Sequence, residues 1–398
     1  MPFLSRAVAD QRHAHLREML ADQGCEALIV SNPDHFFFLT NYFLDVAPWE
    51  RPVAAILPKS GPLLLLLNEL STHHVDMARE RGTLWAEEVW LYSEHPRSTG
   101  RLWLRPQFPE MLATALKTRG IKRGRIAVDT AGGPFARIPA LIPGTELVPV
   151  EQQLREARWV KTGEELALMR QCAALTDWGQ ARYREEVRPG RLVADVDFEV
   201  ARRCAIEGAE RFPGQQLELR VRSSPGPASA APHGGGADAG LRFEAGQGIV
   251  NIVIFRLNGM TVENERTWLL GRCSDTHIRA LTAAIAAQEA AIAKLVAGTP
   301  LFEVDAAAQA VIEKAGYGAN IRHRTGHGMG IAGHEFPEDM PWSPRPLREG
   351  EVYSAEPGIY LYGVGGFRHD DSVVVGRTAP ESLTKAPKSV PEVTIPAG

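Results

Sequence analysis

The sequence predicts two domains: an α/β domain over residues 1–155, and an α+β domain with an internal pseudo-twofold repeat over residues 156–398. Three observations lead to this prediction. The length of 398 residues is more than one ordinary hydrophobic core contains. Short apolar runs alternate with helical patterns in the first part of the chain. A helix–turn–helix pattern occurs twice in the second part, 108 residues apart.

The first domain is predicted from strand-like runs that are apolar on both faces. A charged, amphipathic helix is expected from Ala7 to Gln23, and four such runs come after it. Runs of this kind are typical of a mixed sheet that is covered by helices, because neither face meets water. The four runs are residues 26–31, 53–57, 63–67 and 125–129.

A helix start marks the beginning of the second domain. Thr162 is a residue type that caps helix N-termini, and Glu165 stands three positions later, as in a capping box. A long amphipathic run then continues from Glu164 to Glu186. Because the sequence changes character just before Thr162, we expect the domain boundary between residues 155 and 156.

The internal repeat consists of two helix pairs. Gly190 follows the first helix of one pair and Asp195 opens the second, while Gly298 and Glu303 hold the same places in the other copy. Glycine commonly ends a helix, and an acidic residue is favourable in a first helical turn. Two related halves predict a pseudo-twofold domain with a cleft where the halves meet.

A β-hairpin is predicted between the two copies. A strand-like run over residues 246–255 is followed by the pair Asn258-Gly259, which is preferred in two-residue turns, and by a return strand over residues 260–270. Glu263 and Glu265 stand two apart on the return strand, so both side chains point to one face. Carboxylates in such a place must be solvated, paired or bound to a cation.

The composition excludes several classes of function. A net charge of −4 without a dense Lys/Arg run predicts no nucleic-acid binding. The four cysteines are scattered without a CxxC pair, so we expect reduced core thiols. The N-terminus lacks the build of a secretory signal, and the longest apolar run, residues 62–67, is far shorter than a bilayer span. We therefore expect a cytoplasmic protein with no membrane association.

Five polar residues stand in separate short motifs of the second half: His233 in PHG, Glu263 in VENERT, His327 in TGHGMG, Glu356 in AEPG and Asp370 in FRHDD. In this order the motifs resemble those of the pita-bread family of methionine aminopeptidases, Xaa-Pro peptidases and creatinases. The resemblance covers nearly the whole chain. It implies a creatinase-type N-terminal domain, a pita-bread catalytic domain and hydrolysis of C–N bonds.

The resemblance also implies a ligand set, from which this chain departs. The metal-dependent relatives hold two ions with five ligands. The first of these, an aspartate, falls on Ile252, which cannot bind a metal. The other four positions keep side chains that can ligate, so we expect no metal or one divalent ion (Mn, Fe, Co or Zn). Those four are Glu263, His327, Glu356 and Asp370.

Several motifs favour the metal-free, creatinase-like branch of the family. Glu265 stands in an ERT triplet where the metallopeptidases usually have TRT. By the same resemblance Trp49 and Arg51 reach the active site of a neighbouring subunit, where Arg51 holds a substrate carboxylate. Creatine itself is not favoured, because Thr261 replaces a substrate-contacting tyrosine and Glu338 an expected arginine.

The expected catalytic residues are the same with or without a metal. Without one, His233 takes a proton from water and returns it to the leaving nitrogen, while Glu265 and Glu356 tune the charged groups. With one ion, Glu356 or Asp370 assists the attacking water, and His233 with His334 stabilises the oxyanion. His327 takes part in both versions.

These expectations leave three functions open. The first is a creatinase-like hydrolase of a small, zwitterionic or carboxylated substrate, metal-free or with a single ion. The alternative is an Xaa-Pro aminopeptidase or dipeptidase, which would act on short peptides. The most remote is a non-catalytic binding protein on a pita-bread scaffold, although such a protein would not need His233, His327 and Glu356 together. A homodimer is expected from the family resemblance.

Overall fold

The computed structural model describes residues 3–93, 108–233, 240–335 and 340–397. The chain divides into two compact units, Phe3–Arg158 and Trp159–Gly398. Among the described residues, no helix has both the length and the apolar character needed to cross a membrane.

The first unit is an α/β domain, as predicted. Its six strands form one mixed sheet in the order β4-β3-β2-β1-β5-β6, in which β2 runs antiparallel to both of its neighbours and the other pairs are parallel. The elements are α1 (Arg6–Asp22), β1 (Cys25–Val30), α2 (Pro33–Thr40), β2 (Ala54–Pro58), β3 (Leu64–Asn68), α3 (Thr72–Glu80), β4 (Glu88–Tyr92), α4 (Phe108–Thr118), β5 (Gly124–Val128), α5 (Ile138–Leu141), β6 (Thr145–Pro149) and α6 (Glu151–Glu156).

The strands in the middle of this sheet are apolar on both faces because both faces are covered. Every residue of β2 and β3 is buried, and in β1 only Glu26 is partly exposed. One side packs against helix α4, whose buried residues include Leu112 and Leu116. The four predicted strand runs correspond to β1, β2, β3 and β5 with shifts of one residue.

The second unit is built around a sheet with the strand order β10-β13-β9-β8-β7. Helix α7 packs against β8 and β9, and α8 against β7. The elements are α7 (Gly163–Glu186), α8 (Val193–Arg211), β7 (Leu217–Pro225), β8 (Gly248–Leu257), β9 (Met260–Leu270), α9 (Asp275–Ala293), α10 (Leu301–Lys314), β10 (Val352–Ala355), β11 (Gly358–Leu361), β12 (Gly365–Arg368), β13 (Asp370–Val374), β14 (Glu381–Ser382) and β15 (Thr394–Ile395).

The predicted capping box opens α7. The Thr162 hydroxyl accepts a hydrogen bond from the Glu165 backbone N–H, and the Glu165 carboxylate accepts one from the Thr162 backbone N–H. Two of the helix's unsatisfied N–H donors are thereby paired.

The predicted repeat is present as the helix pairs α7/α8 and α9/α10. Asp197 in α8 and Asp305 in α10 are buried and stand 108 residues apart. Each carboxylate accepts a hydrogen bond from a backbone N–H of a later segment. The carboxylate of Asp197 accepts from the Ser223 backbone N–H at 2.9 Å, and that of Asp305 accepts from the Thr325 N–H at 2.7 Å. Each half thus ties the segment that leads to its motif histidine to an equivalent helix.

The β8–β9 hairpin turns at Asn258 and Gly259, as predicted. Both residues have positive φ, 45° and 84°, which is the geometry of a type I′ turn. The side chain of Asn264 on β9 faces helix α7 and donates to the Thr176 hydroxyl at 3.1 Å. Glu263 and Glu265, its neighbours in the strand, therefore face the opposite side of the sheet.

The glycine-rich segment from Tyr360 to Gly366 belongs to a β-hairpin of β11 and β12. Tyr360 is buried, with its hydroxyl bonded to two neighbours, whereas Tyr362 at the tip is fully exposed. Glycine is required at position 366 because a Cβ there would lie 2.2 Å from the Ser229 carbonyl oxygen. The glycines reflect close backbone contact rather than flexibility.

Arg266 is a large, fully buried charged residue on the face of β9 opposite to Glu263 and Glu265. It pairs with the Asp371 carboxylate at 2.8 Å, and both side chains are fully buried. Its guanidinium also donates to the carbonyl oxygens of Asp370 and Ala386. Lys388 contacts the second oxygen of Asp371.

We expect Arg266→Met to lower the free energy of unfolding by about 3–5 kcal/mol, because it removes the fully buried partner charge of Asp371 and the donor to several buried carbonyls. Arg377→Met is the matched control: Arg377 pairs with Glu349 at 2.9 Å while exposed, so its loss should cost no more than about 1 kcal/mol. Urea unfolding followed by circular dichroism measures both. Equal losses would contradict this account of the sheet.

Candidate active site

Carboxylates from three strands meet on one face of the second sheet. Glu263 and Glu265 lie on β9, and Asp370 begins β13 directly opposite Glu265. Glu356 follows the end of β10, which pairs with β13. Glu263, Glu265 and Asp370 are buried, and Glu356 is partly exposed. The sheet thus gathers four acids that are far apart in the sequence.

The possible ligand atoms of this region form two clusters. Within each cluster the atoms lie within 4.8 Å of one another. The imidazole cluster is Glu263, His327 and His334, and the carboxylate cluster is Glu265, Glu356 and Asp370. The structure therefore brings together all four expected metal ligands and adds His334 and Glu265 to them.

His327 is held by the backbone around it. A Cβ on Gly326 would lie 2.0 Å from the Ser354 carbonyl oxygen, so only glycine permits this approach to β10. The His327 Nδ1 lies 3.0 Å from the Gly328 carbonyl oxygen, which orients the ring and leaves Nε2 facing the acids. Nε2 is 3.4 Å from Glu356 Oε1 and 3.5 Å from Glu263 Oε2.

The electrostatics of His327 favour a cation at this position. Burial opposes a charged imidazole, but attraction to Glu356 and Glu263 outweighs it and raises the pKa of His327 to about 9. The same surroundings that favour a proton on Nε2 would favour a metal ion there.

His334 stacks on His327, with ring centroids 3.6 Å apart and planes 16° apart. Desolvation, followed by the charge of His327, lowers the pKa of His334 to about 4, so the exposed ring is neutral at pH 7. Its loop is anchored by the next residue: the buried Glu335 pairs with Lys161 at 3.3 Å, and its backbone N–H donates to the Gly328 carbonyl at 2.7 Å.

The carboxylates perturb one another. Burial raises the pKa of Glu263 to about 7. The charge of His327 acts against this shift, and the charges of Glu356 and Glu265 add to it. Burial and the three neighbouring carboxylates also raise the pKa of Asp370. In contrast, although burial opposes ionisation of Glu356, contact with His327 and the charge of Arg368 hold its pKa well below the usual range. Glu356 therefore stays ionised at neutral pH.

Arg368, to which the sequence analysis assigned no role, is the buried cation beside these acids. Its Nε contacts Glu265 Oε2 and lies 3.6 Å from Glu356 Oε2. Its Nη1 donates to the Pro232 carbonyl oxygen and to the Tyr360 hydroxyl, which in turn is bonded to His323 Nε2 at 2.7 Å. An arginine two positions before Asp370 in a strand-like run was the only sequence signal for it.

Two more predicted residues lie near the clusters. His233 is exposed. It contributes to the lowered pKa of His334 and of His323, although burial and the other neighbouring charges contribute more. Thr261 is two residues from Glu263 on β9, and its backbone N–H donates to the Gly330 carbonyl at 2.7 Å. Gly234 and Glu338 lie outside the described residues.

Trp49 and Arg51 belong to the first unit. The Trp49 side chain is 78% exposed, and Arg51 pairs with the adjacent Glu50 at 2.6 Å. Their role toward a neighbouring subunit stays a prediction.

The residues present fit a divalent cation. Among the described residues, His327 Nε2 and Asp370 Oδ2 are buried and have no hydrogen-bond partner. A buried polar atom without a partner is costly, and both atoms face a set of carboxylate and imidazole donors suited to Mn, Fe, Co or Zn. Ile252 on β8 is buried directly opposite Glu265 and offers no donor.

Comparison with known proteins gives a consistent picture. Residues 167–377 match the model of metallopeptidase family M24, and residues 12–160 match that of the creatinase/prolidase N-terminal domain. The chain is 32% identical over 381 residues to the probable dipeptidase PepE of Mycobacterium tuberculosis, with 92% of each protein covered. It is 27% identical over 343 residues to the Xaa-Pro dipeptidase of Pyrococcus horikoshii, covering 85% of this chain and 90% of that protein.

A solved structure with the same fold is the dipeptidase PepE from Mycobacterium ulcerans. It matches with a TM-score of 0.80 and 26% identity, over 99% of this chain and 100% of that one. The predicted combination of a creatinase-type N-terminal domain and a pita-bread domain is confirmed.

Without a metal ion, we expect the protein to lose stability as the pH rises from about 7 to about 9. The pKa of His327 is raised from 6.5 to about 9, so in this range the folded chain binds more protons than the unfolded chain, and stability falls as they leave. The loss should be on the order of 1–3 kcal/mol. Chelator-treated protein is melted at pH 7, 8 and 9.

In the same series, His327→Gln serves as the control and should show a smaller slope. Mn²⁺ should flatten the wild-type slope, because the ion replaces the proton. A wild-type melting temperature that is as insensitive to pH as that of the variant would contradict the assignment.

Proposed function

Because the chain belongs to metallopeptidase family M24 and is a hydrolase of C–N bonds, we propose that it is a metal-dependent dipeptidase whose substrates include Xaa-Pro dipeptides. The relatives named above support this reading better than the creatinase-like one, metal-free or with a single ion, that the sequence favoured. The proposal keeps the reaction class and changes the substrate and the metal requirement.

One observation carries the proposal: the unpartnered Nε2 of His327 faces ionisable oxygens of Glu263 and Glu356 at 3.5 and 3.4 Å. Here the imidazole is oriented through Nδ1 and directs Nε2 into the acids, which is the usual arrangement of a metal-binding histidine with a second hydrogen bond.

The roles of the residues follow from their charge and position. A bound cation would polarise the scissile carbonyl and make water a better nucleophile near neutral pH. We propose that Glu356, which stays ionised, accepts the proton of the attacking water and returns it to the leaving nitrogen. His334, neutral and exposed, and His233 would donate hydrogen bonds to the developing oxyanion.

The substrate's free carboxylate requires a positive partner. We propose Arg51 of a neighbouring subunit for this, with Trp49 beside it and Thr261 of β9 as a further substrate contact, and hence a homodimer. A bidentate guanidinium–carboxylate contact would select a dipeptide over a long peptide, whose carboxylate lies too far from the cleaved bond. We also propose that the protein works in the cytoplasm.

The first test is a substrate panel in which only the substrate and the metal vary. We expect release of free proline or another C-terminal amino acid from dipeptides with Mn²⁺ or Co²⁺, and a rate at least about 100-fold lower after chelation. Amine release is followed by ninhydrin or mass spectrometry. Hydrolysis of creatine or a cyclic amidine at full rate in chelator would instead establish the creatinase-like reading.

The second test concerns His233. His233→Ala should lower kcat about 10²- to 10⁴-fold while metal content stays unchanged, because the residue acts in proton transfer or on the oxyanion rather than as a ligand. His15→Ala, an exposed histidine of helix α1, is the matched control and should keep wild-type activity. A His233→Ala variant with normal kcat would remove this residue from the site.

A further inference from the structure

We infer that Glu265, Glu356 and Asp370 form a second cation site, in which Glu265 on β9 supplies the carboxylate that position 252 on β8 cannot. This inference rests on the proposed metal dependence and deepens it. It assigns to Glu265 a ligand role in place of the tuning role expected from the sequence, and it raises the expected number of ions from one to two.

The register of the β8–β9 hairpin brings Glu265 beside position 252. Ile252 and Glu265 are directly opposed across β8 and β9. Side chains at opposed positions project from the same face of a sheet, with Cβ atoms about 4.5–5.5 Å apart. A carboxylate on position 265 therefore reaches the space that a shorter acid on position 252 would reach. The apolar side chain of Ile252 is buried beneath it.

The carboxylate cluster has the spacing of a cation site. One oxygen of each of its three members lies within 4.8 Å of the others, a spacing that a single ion can span. Asp370 is fully buried. Its Oδ1 accepts from the Ala355 backbone N–H at 3.2 Å, while Oδ2 has no hydrogen-bond donor among the described residues. That atom requires a cation or a proton.

The negative charge of the site also favours a second cation. Four carboxylates lie together, and the cation that contacts the carboxylate cluster is Arg368. One divalent ion in the imidazole cluster would still leave the group negative in a buried place, which is unfavourable. A carboxylate has about four lone-pair positions, so Glu265 can hold the Arg368 guanidinium and ligate an ion at the same time.

The alternative occupant is Arg368 itself. Its guanidinium could serve as the second positive charge, and the protein would then bind a single ion. The two possibilities differ in the number of ions bound and not in the reaction catalysed, so metal binding distinguishes them without an activity assay.

The experiment measures Mn²⁺ binding to the whole protein by isothermal titration calorimetry and electron paramagnetic resonance. We expect two ions per chain, with the signal of an exchange-coupled pair, in the wild type. Glu265→Gln should bind one ion, with an uncoupled signal. The double variant Ile252→Asp/Glu265→Thr moves the carboxylate to the neighbouring strand and should bind two again. Glu218→Gln, on exposed β7 surface, is the control and should match the wild type.

A wild type that binds one ion, or a Glu265→Gln variant that still binds two, overturns the inference. Circular dichroism checks that Glu265→Gln folds. If it does not fold, Glu265→Asp keeps the charge but shortens the reach, and its affinity for the second ion should fall at least tenfold; unchanged affinity also overturns the inference. Two ions in a protein that cleaves no dipeptide would refute the proposed function and leave this site standing.

Discussion

The burial of several carboxylates in one place is the constraint on which the second unit depends. Like charges at short range in a low-dielectric interior repel strongly, so the fold must supply positive charge or protons. The Arg368 guanidinium supplies part of it through Glu265 and Glu356, and the raised pKa values of Glu263 and Asp370 show what remains uncompensated. The divalent cation proposed above would complete the balance.

The surrounding elements keep the acids from moving apart. Asn264, between the two glutamates of β9, is bonded to helix α7, and Ser372 on β13 accepts from the backbone N–H of Glu263 at 3.0 Å. Arg266 fixes the other face through Asp371. Because Glu263, Glu265 and Asp370 lie in strands and Glu356 directly follows one, the separation of the carboxylates is set largely by sheet register.

Much of this architecture could be predicted from local chemistry. The capping box at Thr162, the Asn258-Gly259 turn and the common face of Glu263 and Glu265 all follow from rules that act over a few residues. The role of Arg368 could not be predicted, since it depends on a cross-strand contact with Glu265, more than a hundred residues away in the sequence. The β11–β12 hairpin depends on a distant contact of the same kind, the close approach of Gly366 to Ser229.

The paired helices tied by Asp197 and Asp305 have a consequence for the timing of activity. The half that ends with β9 carries Glu263 and Glu265, and the half that begins with α9 carries His327, Glu356 and Asp370. Neither half contains the complete set of these side chains. Hydrolytic activity can therefore arise only after both halves have been synthesised and have packed against each other, and not from either half alone.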